Sequence, residues 1–183
     1  MSIKRWLIIP LSLMTAAFLH AEPLKVGATA PAITAKDQDG KLVDLGELYK
    51  KGLVLVYFYP KADTPGCTKQ ACSLRDDYES LTRRGVTVVG VSADTVEAQK
   101  AFAEKYNLPF TLLADSDRAV INAFGVPTMM GVARRQAFLI HNGKVIWRDL
   151  SASTAKQAAD VHAALDQAEL GEVEPRLKDK AAH

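Results

Sequence analysis

Residues Leu53–Asp76 read "LVLVYFYPKADTPGCTKQACSLRD". The first seven form a continuous apolar run rich in aromatic and β-branched residues, the pattern of a strand buried on both faces of a sheet. From Cys67 to Arg84, the apolar positions Ala71, Leu74, Tyr78 and Leu81 recur at three- and four-residue steps, which predicts an amphipathic helix. Thr64-Pro65-Gly66-Cys67 has the grammar of that helix's start. Thr64 is the expected N-cap, and Pro65 takes the first helical position, where a missing N–H costs least. Cys67 then falls in the first turn.

The same reading extends in both directions. "VTVVGVS" (86–92) is a second buried strand, Val96–Tyr106 a helix stopped by Leu108-Pro109, and "FTLLA" (110–114) a short strand. Arg118–Phe124 is a short helix closed by Gly125 and Pro127. "QAFLIH" and "KVIWRDL" are strands joined at Asn142-Gly143, a strong hairpin signal. Thr154–Glu169 is a last helix, with Ala158, Val161, Leu165 and Ala168 on one face. Ahead of the opening stretch, "ITAKDQDGKLVDLGEL" predicts two short strands around Asp39-Gly40 and a turn of helix. Strands alternating with helices place helices on both faces of one sheet, and the closing hairpin makes the sheet mixed. The fold class is therefore α/β. Ligands in such sheets sit beyond the carboxyl ends of the strands, which is where Tyr59–Cys67 lies.

The chain has two cysteines, Cys67 and Cys72, with four residues between them. On an intact helix their Cα atoms would sit roughly 8–9 Å apart, beyond the ~7 Å limit for a disulfide. A structural staple would not be placed where the helix forbids it. A reaction cycle would be: Cys67 is oxidised, the helix start opens, and Cys72 attacks it. The helix start favours negative charge through its free N–H groups and its dipole, so Cys67 suits the thiolate role. Peroxide oxidises a thiolate to a sulfenic acid, which a second thiol condenses to a disulfide. Gly66 leaves the sulfur open to approach, and a small substrate would pass between Pro60 and the helix start. The Thr64 hydroxyl can hydrogen-bond the peroxide. A fixed cation would stabilise both thiolate and developing oxyanion, and on local grounds either Arg134 or Arg135 could supply it.

"YPKADTPGCTKQAC" resembles the active-site segment of the peroxiredoxins, most closely the peroxiredoxin Q group, also called bacterioferritin comigratory proteins. The family's Pro, Thr and Cys fall on Pro60, Thr64 and Cys67, and its resolving cysteine on Cys72. Its arginine precedes a "FLI" strand by three residues, which selects Arg135. The likeness continues through "VVGVSAD", "FAEKYNLPFTLLAD" and "FGV", over most of residues 24–169. It implies a thioredoxin fold with an N-terminal β extension. It also implies a thiol peroxidase acting on hydrogen peroxide and organic hydroperoxides, with no cofactor or metal, reduced by a thioredoxin-like partner. Many relatives carry Glu where this chain has Gln70. Gln keeps a hydrogen bond but removes a charge, so altered reactivity is expected.

Lys4 and Arg5 precede a mostly apolar run, Trp6–Leu19, short of the roughly twenty residues a membrane span needs. Residues 1–21 therefore read as a secretory signal peptide ending near Ala21, the alternative being an uncleaved anchor. Residues 22–170 are the expected domain, and 171–183 a polar tail. The 23 Lys and Arg against 21 Asp and Glu become 21 of each once Lys4 and Arg5 leave. Nothing in that balance favours nucleic acid. The expectation is a periplasmic or otherwise exported monomer, with no stable membrane association after cleavage and with an exported thiol reductant.

Plainer readings stand beside these. Arg134 reads as a surface residue, Tyr57, Phe58 and Tyr59 as core, and Phe110, Met129 and Met130 as loop or core packing before pocket wall. His20, His141, His162 and His183 share no ligand spacing. An exported copper carrier on the same fold would use two Cys and a distant His, but its cysteines would have three residues between them, on one helical face, where this chain has four. A thiol–disulfide exchanger would need its cysteines closer together.

Overall fold

The computed structural model describes residues 22–168. The expected signal peptide, the polar tail and the last residue of the expected final helix lie outside the described residues. Seven strands form one sheet. In chain order they are β1 (Thr34–Asp37), β2 (Leu42–Asp44), β3 (Leu53–Phe58), β4 (Val86–Ser92), β5 (Thr111–Ala114), β8 (Gln136–His141) and β9 (Lys144–Asp149). The sheet order is β2-β1-β5-β4-β3-β8-β9. The centre, β5-β4-β3, is parallel, while β8 and β9 on one side and β1 and β2 on the other are antiparallel additions. This is the mixed α/β sheet expected, with the N-terminal strands as an extension of one edge.

β3 is buried along its whole length, and its side chains alternate between two cores. Leu53, Leu55 and Tyr57 join Tyr59, Cys67, Ala71, Leu74 and Leu165 on one face. Val54, Val56 and Phe58 join Leu45, Val120, Phe124 and Phe138 on the other. The first face is covered by α2 (Pro65–Asp76), α3 (Tyr78–Arg83), α4 (Val96–Tyr106) and α6 (Gln157–Gln167). The second is covered by α1 (Leu45–Tyr49) and α5 (Ala119–Ala123).

The structure amends the sequence expectations in three places. The helix expected from Cys67 to Arg84 is two, broken at Asp77 (φ −111°, ψ 12°), whose carboxylate meets His162 Nε2 at 2.5 Å. α4 has the expected bounds, and Asn107 closes it in the left-handed region (φ 50°) ahead of Leu108-Pro109. α6 starts three residues late because the Ser153 hydroxyl accepts from the N–H groups of Ala155 and Lys156 and holds a turn there; Ala168 is exposed past its end. Thr128–Ala133 forms a small hairpin of β6 (Thr128–Met129) and β7 (Val132–Ala133). Met129 and Met130 sit at its tip, 62% and 97% exposed, and so belong to no core.

Candidate active site

The carboxyl end of β3 runs directly into the loop that carries the site. Two carboxylates pin this loop. Asp94, just past β4, accepts from the Ala62 N–H at 2.7 Å and from the Ser92 hydroxyl at 2.7 Å. Asp63 takes a left-handed backbone (φ 56°) and accepts from Lys105 Nζ at 2.7 Å and from the Tyr106 hydroxyl at 2.7 Å, tying the loop to α4. These hydrogen bonds hold the Asp63 carboxyl below the usual carboxylate range. Behind the loop, Gln99 accepts from the Tyr59 hydroxyl and donates to Ser92 Oγ at 2.9 Å and to the Leu113 carbonyl at 2.8 Å. The ends of three strands and α4 are thereby held together where the loop leaves the sheet.

Thr64 occupies the N-cap position with extended backbone (φ −95°, ψ 151°), and its carbonyl accepts the first helical bond, from Thr68 N–H at 2.8 Å. Its side chain does not cap. The hydroxyl turns back and donates to the Lys61 carbonyl at 2.9 Å. The first-turn N–H groups of α2 are thus left without a side-chain cap, and the hydroxyl oxygen keeps its lone pairs.

Cys67 lies in that first turn and is 2% exposed. Arg135 Nη2 stands 3.4 Å from its sulfur. The other guanidinium nitrogen, Nη1, donates to Gln70 Oε1, one helical turn along α2. Gln70 Nε2 in turn donates to Gln157 Oε1 on α6 at 2.7 Å. Both glutamines are fully buried. A Cβ placed on Gly66 would sit 3.3 Å from Arg135 Nη2, so glycine keeps the guanidinium uncrowded. Pro60 and Gly66 are half-buried at the rim. Cys72 is half-buried on the unbroken helix, and both thiols are free.

Of the residues singled out from sequence, the structure brings Arg135 to the Cys67 sulfur and against Gly66, while Pro60 and Thr64 lie on the loop that leads into α2. Cys72 stays farther along the helix. Arg134 is exposed. Phe110 packs in the core against Tyr57 and Tyr78. Tyr57 is fully buried on the Cys67 side with no partner for its hydroxyl, and burial pushes its phenol well above the usual tyrosine range, so it stays neutral. Among the described residues, no group of three or more His, Cys, Asp or Glu is arranged to hold a metal ion, and no helix is long and apolar enough to cross a membrane.

Against known proteins, residues 26–148 match the AhpC/TSA family. The chain belongs to that family. Within it, the relatives place the chain in the peroxiredoxin Q group. It is 53% identical over 102 residues to the chloroplastic peroxiredoxin Q of Sedum lineare, a match covering 56% of this chain and 54% of that protein. It is 48% identical over 103 residues to the putative peroxiredoxin bcp of Coxiella burnetii, covering 56% of this chain and 68% of that one. The crystal structure of peroxidoxin BcpB from Mycobacterium tuberculosis superposes with a TM-score of 0.74 at 34% identity, over 79% of this chain and 97% of that one. The chain spans about half the length of the plant relatives that it matches. The thioredoxin fold of the peroxiredoxins is therefore the fold of this chain.

Sequence reasoning did not single out Asp63, Asp94, Lys105 or Gln157. Asp63 and Asp94 each follow a strong strand, a signal that could have flagged them as loop anchors. Gln157 has no local signal, since its role depends on a contact 87 residues away.

Proposed function

We propose that this chain is a thiol peroxidase reducing hydrogen peroxide and organic hydroperoxides, with Cys67 as the attacking thiol and Cys72 as the resolving one. The observation that carries the reading is the Arg135 guanidinium 3.4 Å from a buried cysteine in the first turn of α2. A guanidinium and uncapped helical N–H groups both stabilise negative charge on sulfur. The Cys67 thiolate attacks one peroxide oxygen, and the O–O bond breaks. Sulfur gains an S–OH group, and the departing oxygen leaves as water or alcohol after taking a proton. The lone pairs of Thr64 suit it to accept a hydrogen bond from the attacked peroxide oxygen's O–H, while Arg135 steadies charge on the leaving oxygen. Pro60 and Gly66 form the rim past which the peroxide enters.

Resolution requires motion. Cys67 and Cys72 lie on one continuous helix, roughly 8–9 Å apart at Cα by helical geometry. The first turns of α2 unwind, the Cys72 thiolate attacks the Cys67 sulfur, hydroxide leaves and is protonated to water, and a disulfide forms. A thioredoxin-like or other thiol reductant then returns both thiols. No cofactor takes part. The basic start and apolar run of residues 4–19 support export, and with it an exported reductant, a placement that sequencing the N-terminus of the secreted protein tests. The activity itself is tested by peroxide consumption with a small dithiol as reductant. The protein should turn over repeatedly, and Cys67→Ser should not. Full activity in Cys67→Ser would remove the assignment.

A further inference from the structure

We propose that Gln157 is a positioning residue for Arg135, acting through Gln70, a proposal that rests on Cys67 being the reacting thiol. A guanidinium has only donors. To meet Arg135 Nη1, Gln70 must present its oxygen. The amide is planar, so its NH₂ group then points the other way, inside a site where Gln70 has no exposure to solvent. An acceptor is required there, and Gln157 Oε1 supplies it at 2.7 Å. The hydrogen bonds therefore run in one direction, from Arg135 to Gln70 to Gln157. They end at Gln157 Oε1, and the Gln157 Nε2 donor that could carry the chain on is buried with no partner among the described residues.

Without the acceptor on α6, presenting the Gln70 oxygen to Arg135 would leave the Gln70 NH₂ buried and unpaired, a cost that opposes the hydrogen bond to Arg135. A flipped amide would set NH₂ against a guanidinium, and Arg135 would be driven from the sulfur. A carboxylate at position 70 would need no such partner, because either oxygen accepts. Gln157 thus matters because residue 70 is an amide. Both members of the relay are neutral, so the positive charge of Arg135 is not offset by a carboxylate on that side. The start of α6 is seated on α2 by the Ala158 N–H, which donates to Ser73 Oγ at 3.4 Å, and this fixes Gln157 opposite Gln70.

The test uses the full chain carrying Cys72→Ser, so that one thiol is followed. The rate of Cys67 alkylation by iodoacetamide at neutral pH is measured for this parent, for Gln157→Met, for Gln70→Glu and for the double variant. Gln157→Met should slow alkylation by about tenfold with Gln70 in place and by less than about twofold with Glu at position 70, the coupling expected of residues in one hydrogen-bond network. Gln157→Glu, which keeps an acceptor oxygen, should stay within about threefold of the parent. Should the methionine variant not fold, Gln157→Leu serves the same comparison. Equal slowing in both backgrounds would mean that Gln157 only packs, and no slowing with Gln70 present would mean that it does nothing for Arg135; either result overturns the proposal. Alkylation needs no peroxide. A coupled pair in a protein inert to peroxide would keep the relay and remove the peroxidase reading, while a peroxide-reactive parent without coupling would remove the relay alone.

Discussion

The two faces of the sheet solve burial differently. On the face covered by α1 and α5, Phe58, Phe124 and Phe138 meet ring to ring, with centroids 5.2–5.9 Å apart, in an apolar layer. Its buried carboxylate, Asp115, is raised above the usual range by burial, yet both oxygens accept, from the Val120 N–H at 3.0 Å and the Ile121 N–H at 2.8 Å. On the face covered by α2 and α6, three buried polar side-chain atoms among the described residues remain without partners, Tyr57 OH, Thr68 Oγ1 and Gln157 Nε2, against one on the other face, Gln136 Oε1, whose residue pairs in register with Phe58. A buried, unpaired polar group costs free energy. Thr68 and Gln157 lie on α2 and α6, so part of that cost falls on the helix that carries the cysteines and on the helix packed against it.

Substitutions test whether the two faces act separately. The largest expected effect is Cys67→Ser, which should abolish peroxide consumption and leave thermal stability close to that of the parent; Cys72→Ser should permit one oxidation and block turnover. On the far face, Phe138→Ala should destabilise the fold by about 3–5 kcal/mol, read from denaturant unfolding, with the initial oxidation rate per folded molecule unchanged. A large fall in that rate would mean that the two faces are not independent. Arg135→Ala should give the converse, slowing the first oxidation by about 10²–10³ with little change in unfolding, whereas Arg134→Ala should change neither appreciably.

The smallest effect is at Asp63. Its folded carboxyl lies below its unfolded value because of Lys105 and Tyr106. Its contribution is therefore present above the unfolded carboxylate range and lost as pH falls through the folded value. Asp63→Asn tolerates the same left-handed backbone and removes the charge alone. It should melt slightly below the parent at neutral pH, and the gap should close as the solution is acidified. A gap that widened in acid would contradict the tie.

Much of this was legible in the sequence because it was local. The apolar run 53–59 fixes a doubly buried strand, and Thr64-Pro65-Gly66-Cys67 fixes a helix start with a thiol in its first turn. The choice of Arg135 over Arg134 was not local. Both arginines precede β8, and only the family pattern indicated which of them faced the sulfur. The break at Asp77 was hidden because the apolar positions keep helical spacing across it, while a side chain 85 residues away holds the kinked residue. The Thr64 hydroxyl was expected to cap and instead turns to Lys61, a competition between two nearby acceptor and donor sets that spacing does not resolve.

The central claim is that Cys67 and Cys72 form one reaction unit despite lying on an unbroken helix. One stoichiometric addition of hydrogen peroxide to the fully reduced protein, with both thiols and the mass of the product followed in time, tests it most directly. The account predicts rapid loss of both thiols to a disulfide within one chain. Thiols that persist, or a disulfide formed only between chains, would contradict it.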